Sequence, residues 1–312
     1  MTISKVYIMP ELKVIVQNAS KAGVALPAFN VPYLPMLAPV VQAVVDQNSF
    51  ALIETARLEW LKFEAGGPEA VAREFFRWQT PEHVRLHLDH VPVIDEDGQR
   101  VDYLAIIQQA IGLGYHSVMV DGSRLPLEEN MAATSQVAAM AHQARIPCEA
   151  ELGAVLGHEA GPLPPYDELF ASGKGFTKVD EARRFGHETG CDWLSVAIGN
   201  VHGAISAGYK DQKKIAARLN LDHLERLFRA TAIPLVLHGG SGILREYVLA
   251  SFQKGIAKIN IGTEIRQAYE SALRSSGKAS TAQDAVYERT SWLIGEYFGL
   301  KNIQPLVIQG VP

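Results

Sequence analysis

The sequence contains few cysteines and no excess of positive charge. Among 312 residues, Cys148 and Cys191 are the two cysteines, and both lie within apolar stretches. This usage is typical of a reduced intracellular protein with two core thiols, although a disulfide between them stays open. Lysine and arginine number 29 against 34 aspartates and glutamates, for a formal net charge of −5. Such a balance argues against nucleic-acid binding and favours a small-molecule partner.

Long apolar runs are also missing. The first twenty residues, MTISKVYIMPELKVIVQNAS, have neither a basic start followed by an apolar segment nor a run of about 18 apolar residues. We therefore expect a cytoplasmic protein with no membrane partner. No linker or low-complexity tract interrupts the chain. We expect one domain over 1–312, with a barrel at about 20–275 and a C-terminal helical extension at 276–312.

Short apolar, β-branched runs alternate with longer segments of helical periodicity, as in parallel sheets with crossover helices. The predicted strands are 25–31, 50–55, 84–90, 117–122, 148–153, 193–199, 234–239 and 257–262. The predicted helices are 35–47, 68–78, 101–112, 127–144, 179–189, 221–230, 244–254, 263–276 and 281–299. This order predicts a (β/α)₈ TIM barrel with additional C-terminal helices. The glycine- and proline-rich segment 157–178 is predicted to be a loop, either a lid or a rigid excursion.

Most predicted strands are apolar until their last residues and then end in a group that can do chemistry. These groups are Asn30, Glu54, Asp89 with His90, Asp121, Glu149 with Glu151, His202, His238 and Asn260. In such a barrel the carboxyl ends of the strands form the active site. A buried polar group without a partner costs roughly 1–3 kcal/mol, so this agreement indicates a functional site.

Three of the ten histidines stand at predicted strand ends, where their imidazoles can converge on one Zn²⁺ and leave a coordination position open. They are His90, His202 and His238. His87 lies inside the third strand, where structural support of the site is favoured over ligation. The histidines interpreted as surface or core residues are His83, His116, His142, His187 and His223.

Glycine-rich turns follow the last three predicted strands. They read GNVHG at 199–203, HGGSG at 238–242 and NIGTE at 260–264. Backbone N–H groups of such turns, placed before a helix, can bind an anion. In TIM barrels a phosphate site is usual after strands seven and eight, where HGGSG and NIGTE stand.

Six ordered motifs carry a family resemblance. LHLDH, VMVDGS, EAELG, AIGNVHG, LVLHGGSG and KINIGTE resemble the class II, metal-dependent ketose-bisphosphate aldolases over roughly residues 20–275. This family includes fructose- and tagatose-bisphosphate aldolases. The resemblance implies reversible cleavage of a phosphorylated ketose to dihydroxyacetone phosphate and an aldehyde. It further implies a homodimer or homotetramer. Each chain is expected to bind one catalytic Zn²⁺, for which another divalent ion is an alternative, and a monovalent cation is a further option.

The resemblance also implies roles for individual residues. The implied metal ligands are His90, His202 and His238. Asp89 and Glu159 match the two catalytic carboxylates, and Asp121 and Glu151 match acidic positions beside the metal or at an alternate metal position. The residues matching substrate and phosphate contacts are Asn30, Gly203, Gly239, Ser241, Asn260 and Thr263.

Elementary chemistry agrees with these roles. Breaking a C–C bond beside a carbonyl requires a Lewis acid for the developing negative charge and separate carboxylates for two proton transfers. Asp89 and Glu159 are the carboxylates that can perform the two proton transfers. A base and a metal ligand are then both required at one strand end, which explains the adjacent pair Asp89 and His90.

The sequence departs from the family on the side expected to hold the aldehyde half of the substrate. Ala56 stands where a serine or threonine is common, and Arg124 stands where histidine is common. Arg57 and Arg124 are candidate contacts for an anionic acceptor. The alternative is that both arginines pair with nearby acids such as Glu54, Glu59 or Asp121.

Two other functions compete with an aldolase. A metal-dependent TIM-barrel hydrolase commonly begins with a His-x-His pair on the first strand, and the stretch PAFNV contains none. A catalytically silent barrel with an assembly or regulatory role is favoured if the purified protein binds no metal.

Overall fold

Eight parallel strands close into a barrel in sequence order, with β1 pairing with both β2 and β8. The structure is a computed structural model and is described for residues 9–153, 166–200, 217–240 and 242–310. The strands are β1 Leu26–Asn30, β2 Ala51–Ala56, β3 Val84–Pro92, β4 Ser117–Asp121, β5 Cys148–Leu152, β6 Trp193–Val196, β7 Leu235–Leu237 and β8 Ile256–Ile261. Each overlaps a predicted strand, because strands buried on both faces are near-continuous apolar runs.

Helices surround the barrel and extend past it. They are α1 Leu12–Ala22, α2 Leu37–Asp46, α3 Arg57–Lys62, α4 Gly67–Trp78, α5 Tyr103–Gly112, α6 Leu127–Gln143, α7 Tyr166–Ser172, α8 Val179–Glu188, α9 Leu221–Thr231, α10 Arg245–Phe252, α11 Thr263–Ser276, α12 Ala279–Trp292 and α13 Gln304–Gln309. The predicted (β/α)₈ barrel with additional C-terminal helices is confirmed. None of the described helices is both long enough and apolar enough to cross a membrane.

Several helix assignments differ from the prediction. The predicted loop 157–178 is wrong over Tyr166–Ser172, which form α7, whereas 173–178 are a turn and irregular chain. The hydroxyl of Tyr166 anchors α7 by donating to the carbonyl oxygen of Gly199 at 3.0 Å. The predicted helix 281–299 is also two elements, since α12 ends at Trp292 and a π-helical turn follows over Leu293–Tyr297.

One hydrophobic core joins the barrel to the helices outside it. The core cluster runs from Leu12 in α1 to Ile308 in α13. The amide of Asn18 also donates to the carbonyl oxygen of Val307 at 2.9 Å, tying the two terminal helices together. Cys148 and the other cysteine of the chain are buried and are not disulfide-bonded. This core fixes the strand ends that carry the polar residues.

Candidate active site

The polar residues of the barrel mouth begin at an irregularity in β3. The register between β3 and β4 shifts by one residue between Leu88 and Val91, which places a β-bulge at Asp89 and His90. His90 has a backbone φ of 35°, an uncommon conformation for a residue with a side chain. Consecutive side chains of a regular strand point to opposite faces, whereas a bulge re-aims one of them. The bulge therefore allows Asp89 and His90 to contact the same site.

Asp89 is held by two amide side chains. Asn30 Nδ2 donates to Asp89 Oδ2 and Asn260 Nδ2 donates to Asp89 Oδ1, each at 3.0 Å. All three side chains are buried. Burial alone would raise the pKa of Asp89, but the positive charges of His90 and Lys258 outweigh burial and lower the pKa to about 2. Asp89 is therefore a fixed carboxylate with a hydrogen bond on each oxygen.

The rings of His90 and His238 meet beside this carboxylate. His90 Nε2 lies 2.7 Å from His238 Nδ1. The other nitrogen of each ring faces a carboxylate, since Asp121 Oδ2 is 3.3 Å from His90 Nδ1 and Glu149 Oε1 is 2.8 Å from His238 Nε2. Glu151 Oε2 lies 3.8 Å from His90 Nδ1 and 3.4 Å from His238 Nδ1. Carboxylates in these positions orient metal-ligating histidines and fix their tautomers.

The charges around the two rings favour a cation. Burial lowers the pKa of His90, but the three neighbouring carboxylates outweigh burial and raise it well above its ordinary value. The pKa of His238 is also raised, because nearby carboxylates outweigh burial and the charge of His90. Asp89, His90 and His238 offer ligand atoms within 4.8 Å of one another, as do His90, Asp121 and Glu151. In charge and donor type these residues fit a divalent metal ion.

Glycines shape the turn that follows β7. Gly239 has a φ of 67°, a backbone conformation that disfavours any side chain. At Gly240 a Cβ would lie 3.0 Å from Ile259 Cδ1 and 3.1 Å from the carbonyl oxygen of Asn260, so the backbone passes close to β8. Thr263 begins α11 directly after the same strand. Two of the residues expected at the phosphate, Gly239 and Thr263, thus stand at the ends of neighbouring strands.

Four residues of the predicted site lie outside the described residues. They are Glu159, His202, Gly203 and Ser241. Their roles stay predictions. The described members that come together at the barrel mouth are Asn30, Asp89, His90, Asp121, Glu151, His238 and Asn260.

The two arginines differ in their surroundings. Arg57 begins α3, and its Nη1 lies 3.5 Å from Asp95 Oδ2 in the loop after β3. Pairing with an acid is thus observed for Arg57, although the partner is Asp95 and not one of the three acids named from the sequence. Arg124 is exposed after β4 and forms no ion pair within the described ranges. Whether either arginine contacts substrate stays a prediction.

Most of the remaining described histidines have contacts of their own. His87 is buried below the mouth, with Nδ1 2.7 Å from Ser117 Oγ. Burial and the charge of Lys258 lower the pKa of His87 to about 3, so this ring is neutral. Backbone or carboxylate contacts are formed by His83, His116, His142 and His223. These contacts agree with a structural interpretation of His87 and of these four histidines, and His187 is exposed on α8.

Three polar residues beside the site were not predicted as site residues, although Glu59 was named as a candidate partner of the arginines. Lys258 donates to Asn260 Oδ1 at 2.7 Å, Asn200 donates to the carbonyl oxygen of His238 at 3.0 Å, and the carboxylate of Glu59 lies on the first turn of α3. Asn200 and Lys258 stand inside the motifs AIGNVHG and KINIGTE. For Asn200 and Lys258, their position within these motifs was the sequence signal that could have identified them as site residues.

The comparisons with known proteins agree with this geometry. A family model described as fructose-bisphosphate aldolase class-II matches residues 10–301. The chain therefore belongs to the class II fructose-bisphosphate aldolase family, and it is an aldolase, which is a lyase.

Individual relatives share about a third of their residues with the chain. The fructose-bisphosphate aldolase of Streptococcus pneumoniae is 33% identical over 299 residues, covering 94% of this chain and 92% of that protein. The fructose-bisphosphate aldolase of Streptococcus pyogenes is 33% identical over 301 residues with the same coverage. The YdjI aldolase from Escherichia coli K12, a solved structure, is 28% identical, with a TM-score of 0.74 over 94% of this chain and 98% of that one.

Proposed function

We propose that this aldolase is Zn²⁺-dependent and reversibly cleaves a phosphorylated ketose to dihydroxyacetone phosphate and an aldehyde. The substrate class is a ketose 1,6-bisphosphate, such as fructose or tagatose bisphosphate, or a related ketose phosphate. One observation carries the proposal. The carboxylate of Asp89, held by two amides, adjoins the pair of imidazoles formed by His90 and His238.

The proposed metal ligands are His90, His202 and His238. Three neutral imidazoles leave the full charge of the ion, which supplies a Lewis acid for the negative charge that develops on the substrate oxygen. Asp121 and Glu149 support this assignment, because each contacts the outer nitrogen of one ring. Glu151, near both rings, is an outer partner or an alternate ligand.

Two carboxylates divide the proton transfers in this proposal. Asp89 accepts the proton of the substrate hydroxyl that becomes the aldehyde, since it is ionised and fixed in place. Glu159 exchanges the proton on the donor carbon. Asn30 and Asn260 orient Asp89, and both are proposed to contact the substrate.

The donor phosphate is proposed to lie at the turns after β6 and β7 and at the start of α11. The contributing residues are Gly203, Gly239, Ser241 and Thr263. Support comes from the close backbone approach at Gly240, which keeps the turn after β7 beside β8. Backbone N–H groups in such turns bind anions without a side chain.

Several broader proposals accompany the chemistry. We infer one domain over 1–312, supported by the core that continues from Leu12 to Ile308. The protein is proposed to be cytoplasmic and to assemble as a homodimer or homotetramer. A monovalent cation is a further option beside the phosphate.

Metal analysis combined with product detection tests the function. The purified protein should contain about one divalent ion per chain and release dihydroxyacetone phosphate from a panel of ketose phosphates. A chelator should abolish this release and added Zn²⁺ should restore it. Metal without release would favour a hydrolase, whereas absence of metal would favour a silent barrel.

A further inference from the structure

A lysine is buried inside the barrel, directly below the proposed base. Lys258 lies in β8 two residues before Asn260, and its side chain has no exposed surface. Its Nζ donates to Asn260 Oδ1 at 2.7 Å and lies 2.9 Å from Glu149 Oε2 and 3.2 Å from Glu54 Oε2. The ammonium therefore contacts residues of three strands, β2, β5 and β8.

The first contact determines how the amide of Asn260 is oriented. An ammonium can only donate hydrogen bonds, and an ionised carboxylate can only accept them. Asn260 must therefore turn Oδ1 toward Lys258, which leaves Nδ2 to donate to Asp89 Oδ1 at 3.0 Å. The reversed amide would place its NH₂ against the ammonium and its oxygen against the carboxylate. Lys258 thus fixes one of the two hydrogen bonds that hold Asp89.

The second contact, between Lys258 and Glu149, connects Lys258 to the proposed metal ligand His238. Glu149 faces Lys258 through Oε2 and His238 through Oε1, the latter at 2.8 Å from His238 Nε2. The indole of Trp193 also donates to Glu149 Oε2. An ionised Glu149 requires the proton of His238 on Nε2, and this leaves Nδ1 directed toward His90.

The charges in this cluster agree with an ionised Lys258–Glu149 pair. Burial lowers the pKa of Lys258, but Glu149 and Glu54 outweigh burial and raise it. Burial raises the pKa of Glu149, but Lys258 and His238 outweigh it and lower that pKa. Burial also raises the pKa of Glu54, and the nearby charge of Lys258 opposes this rise.

We propose that Lys258 is a positioning residue that aligns the base Asp89 with the metal ligand His238, through Asn260 on one side and Glu149 on the other. The proposal rests on the proposed function, because it assigns a purpose to Asp89 and His238. A buried ion pair contributes little to stability compared with apolar residues of similar size. Lys258 contacts Asn260, which holds Asp89, and Glu149, which holds His238, and these contacts supply a functional reason for the buried charge.

A double-mutant cycle tests the connection from Lys258 through Asn260 to Asp89. Lys258→Met and Asn260→Ala should each lower kcat about 10- to 100-fold with little change in KM, since a partly misplaced base loses part of its contribution. The double variant should be no slower than the slower single variant, because both changes remove the same alignment. Lys254→Met is the matched control, since its ammonium pairs with Glu225 outside the site. It should keep wild-type kcat.

Zinc affinity tests the connection from Lys258 through Glu149 to His238 without requiring turnover. Competition with a chelator should show that Lys258→Met weakens Zn²⁺ binding about 10- to 100-fold, as Glu149→Gln does, while Asn260→Ala leaves it unchanged. If Lys258→Met does not fold by circular dichroism, Lys258→Gln is carried through the same cycle. Losses of kcat that multiply in the double variant, together with unchanged zinc affinity, would overturn the proposal.

The wild-type protein separates this inference from the proposed function. If the wild type releases no dihydroxyacetone phosphate and binds no Zn²⁺, the proposed function fails. If the wild type is active and the Lys258 variants match it in kcat and zinc affinity, the positioning role alone fails.

Discussion

His90 Nε2 and His238 Nδ1 lie 2.7 Å apart, although the two residues come from opposite sides of the barrel, His90 from β3 and His238 from the end of β7. Each ring is braced on its outer nitrogen by a carboxylate. His238 is buried and His90 is partly exposed, and the convergence of their rings among carboxylates fits a site for a cation.

His238→Ala should therefore abolish both stoichiometric metal and aldolase activity. The variant removes a buried imidazole that contacts His90, Glu149 and Glu151, and Zn²⁺ needs three protein ligands at a catalytic site of this kind. Metal content by elemental analysis and release of dihydroxyacetone phosphate measure the two effects. His202→Ala should behave alike, whereas His187→Ala, on the exposed face of α8, is the control. Tight metal binding by His238→Ala would contradict the proposed ligand set.

Asp89→Asn and Glu159→Gln should separate the two proton transfers. Asn30 and Asn260 both donate to Asp89, so an amide at position 89 meets a donor with its own NH₂ group. We expect kcat for cleavage to fall about 10²- to 10⁴-fold in Asp89→Asn, with a smaller loss of α-proton exchange.

Glu159→Gln should instead block exchange of the donor's α-proton with solvent while leaving zinc bound. Exchange is followed by NMR in D₂O, and zinc by elemental analysis. Equal loss of exchange in both variants would show that the two carboxylates do not divide the work in this way.

The barrel could be predicted from sequence because its signals are local. A strand such as Leu235–Leu237 is an apolar run between Pro234 and a glycine-rich turn, and α9 has apolar residues at helical spacing with the N-cap Asn220 before it. The α7 helix was missed because it is short and follows a glycine- and proline-rich stretch. Short helices of this kind depend on anchors such as Tyr166, whose partners are distant in sequence.

The site was predictable in its membership and less so in its geometry. The adjacent pair Asp89 and His90 already conflicts with strand alternation, so a bulge could be inferred in principle. Lys258 could not be placed, since a lysine within an apolar strand is explained only by Glu54 and Glu149, which come from other strands. Ion pairs across a barrel leave no local pattern in a single sequence.

Glu59 should make the stability of the protein depend on pH near neutrality. Burial raises the pKa of Glu59 from 4.5 to about 8; the hydrogen bond from the Ala56 N–H opposes this rise, and the charge of Asp89 adds to it. Between these two values the folded protein holds a proton that the unfolded chain releases. The free energy of unfolding should therefore fall as pH rises from about 4.5 to 8.

Glu59→Gln should flatten this dependence, because the amide carries no titrating proton. Chemical denaturation of the metal-free wild type and variant across that pH window measures the difference in slope. Glu168→Gln, on the exposed part of α7, controls for the loss of one carboxylate. An unchanged slope in Glu59→Gln would show that Glu59 is ionised in the folded protein throughout.

Arg57 should distinguish anionic from neutral acceptor aldehydes. Its guanidinium lies 3.5 Å from Asp95, and that carboxylate already accepts the backbone N–H of Gln99 at 2.8 Å, so the ion pair leaves guanidinium donors for a substrate. A charge-assisted contact contributes about 1.5–3 kcal/mol, so Arg57→Ala should lower kcat/KM roughly 10- to 150-fold for an anionic aldehyde and little for glyceraldehyde.

Asp95→Asn, which weakens the ion pair but keeps Arg57, should preserve the preference for an anionic aldehyde. Arg124→Ala tests the second arginine in the same assay. Condensation of dihydroxyacetone phosphate with matched neutral and anionic aldehydes supplies the comparison. Equal losses on both aldehydes would assign Arg57 and Asp95 to the structure of the loops and leave the acceptor to other residues.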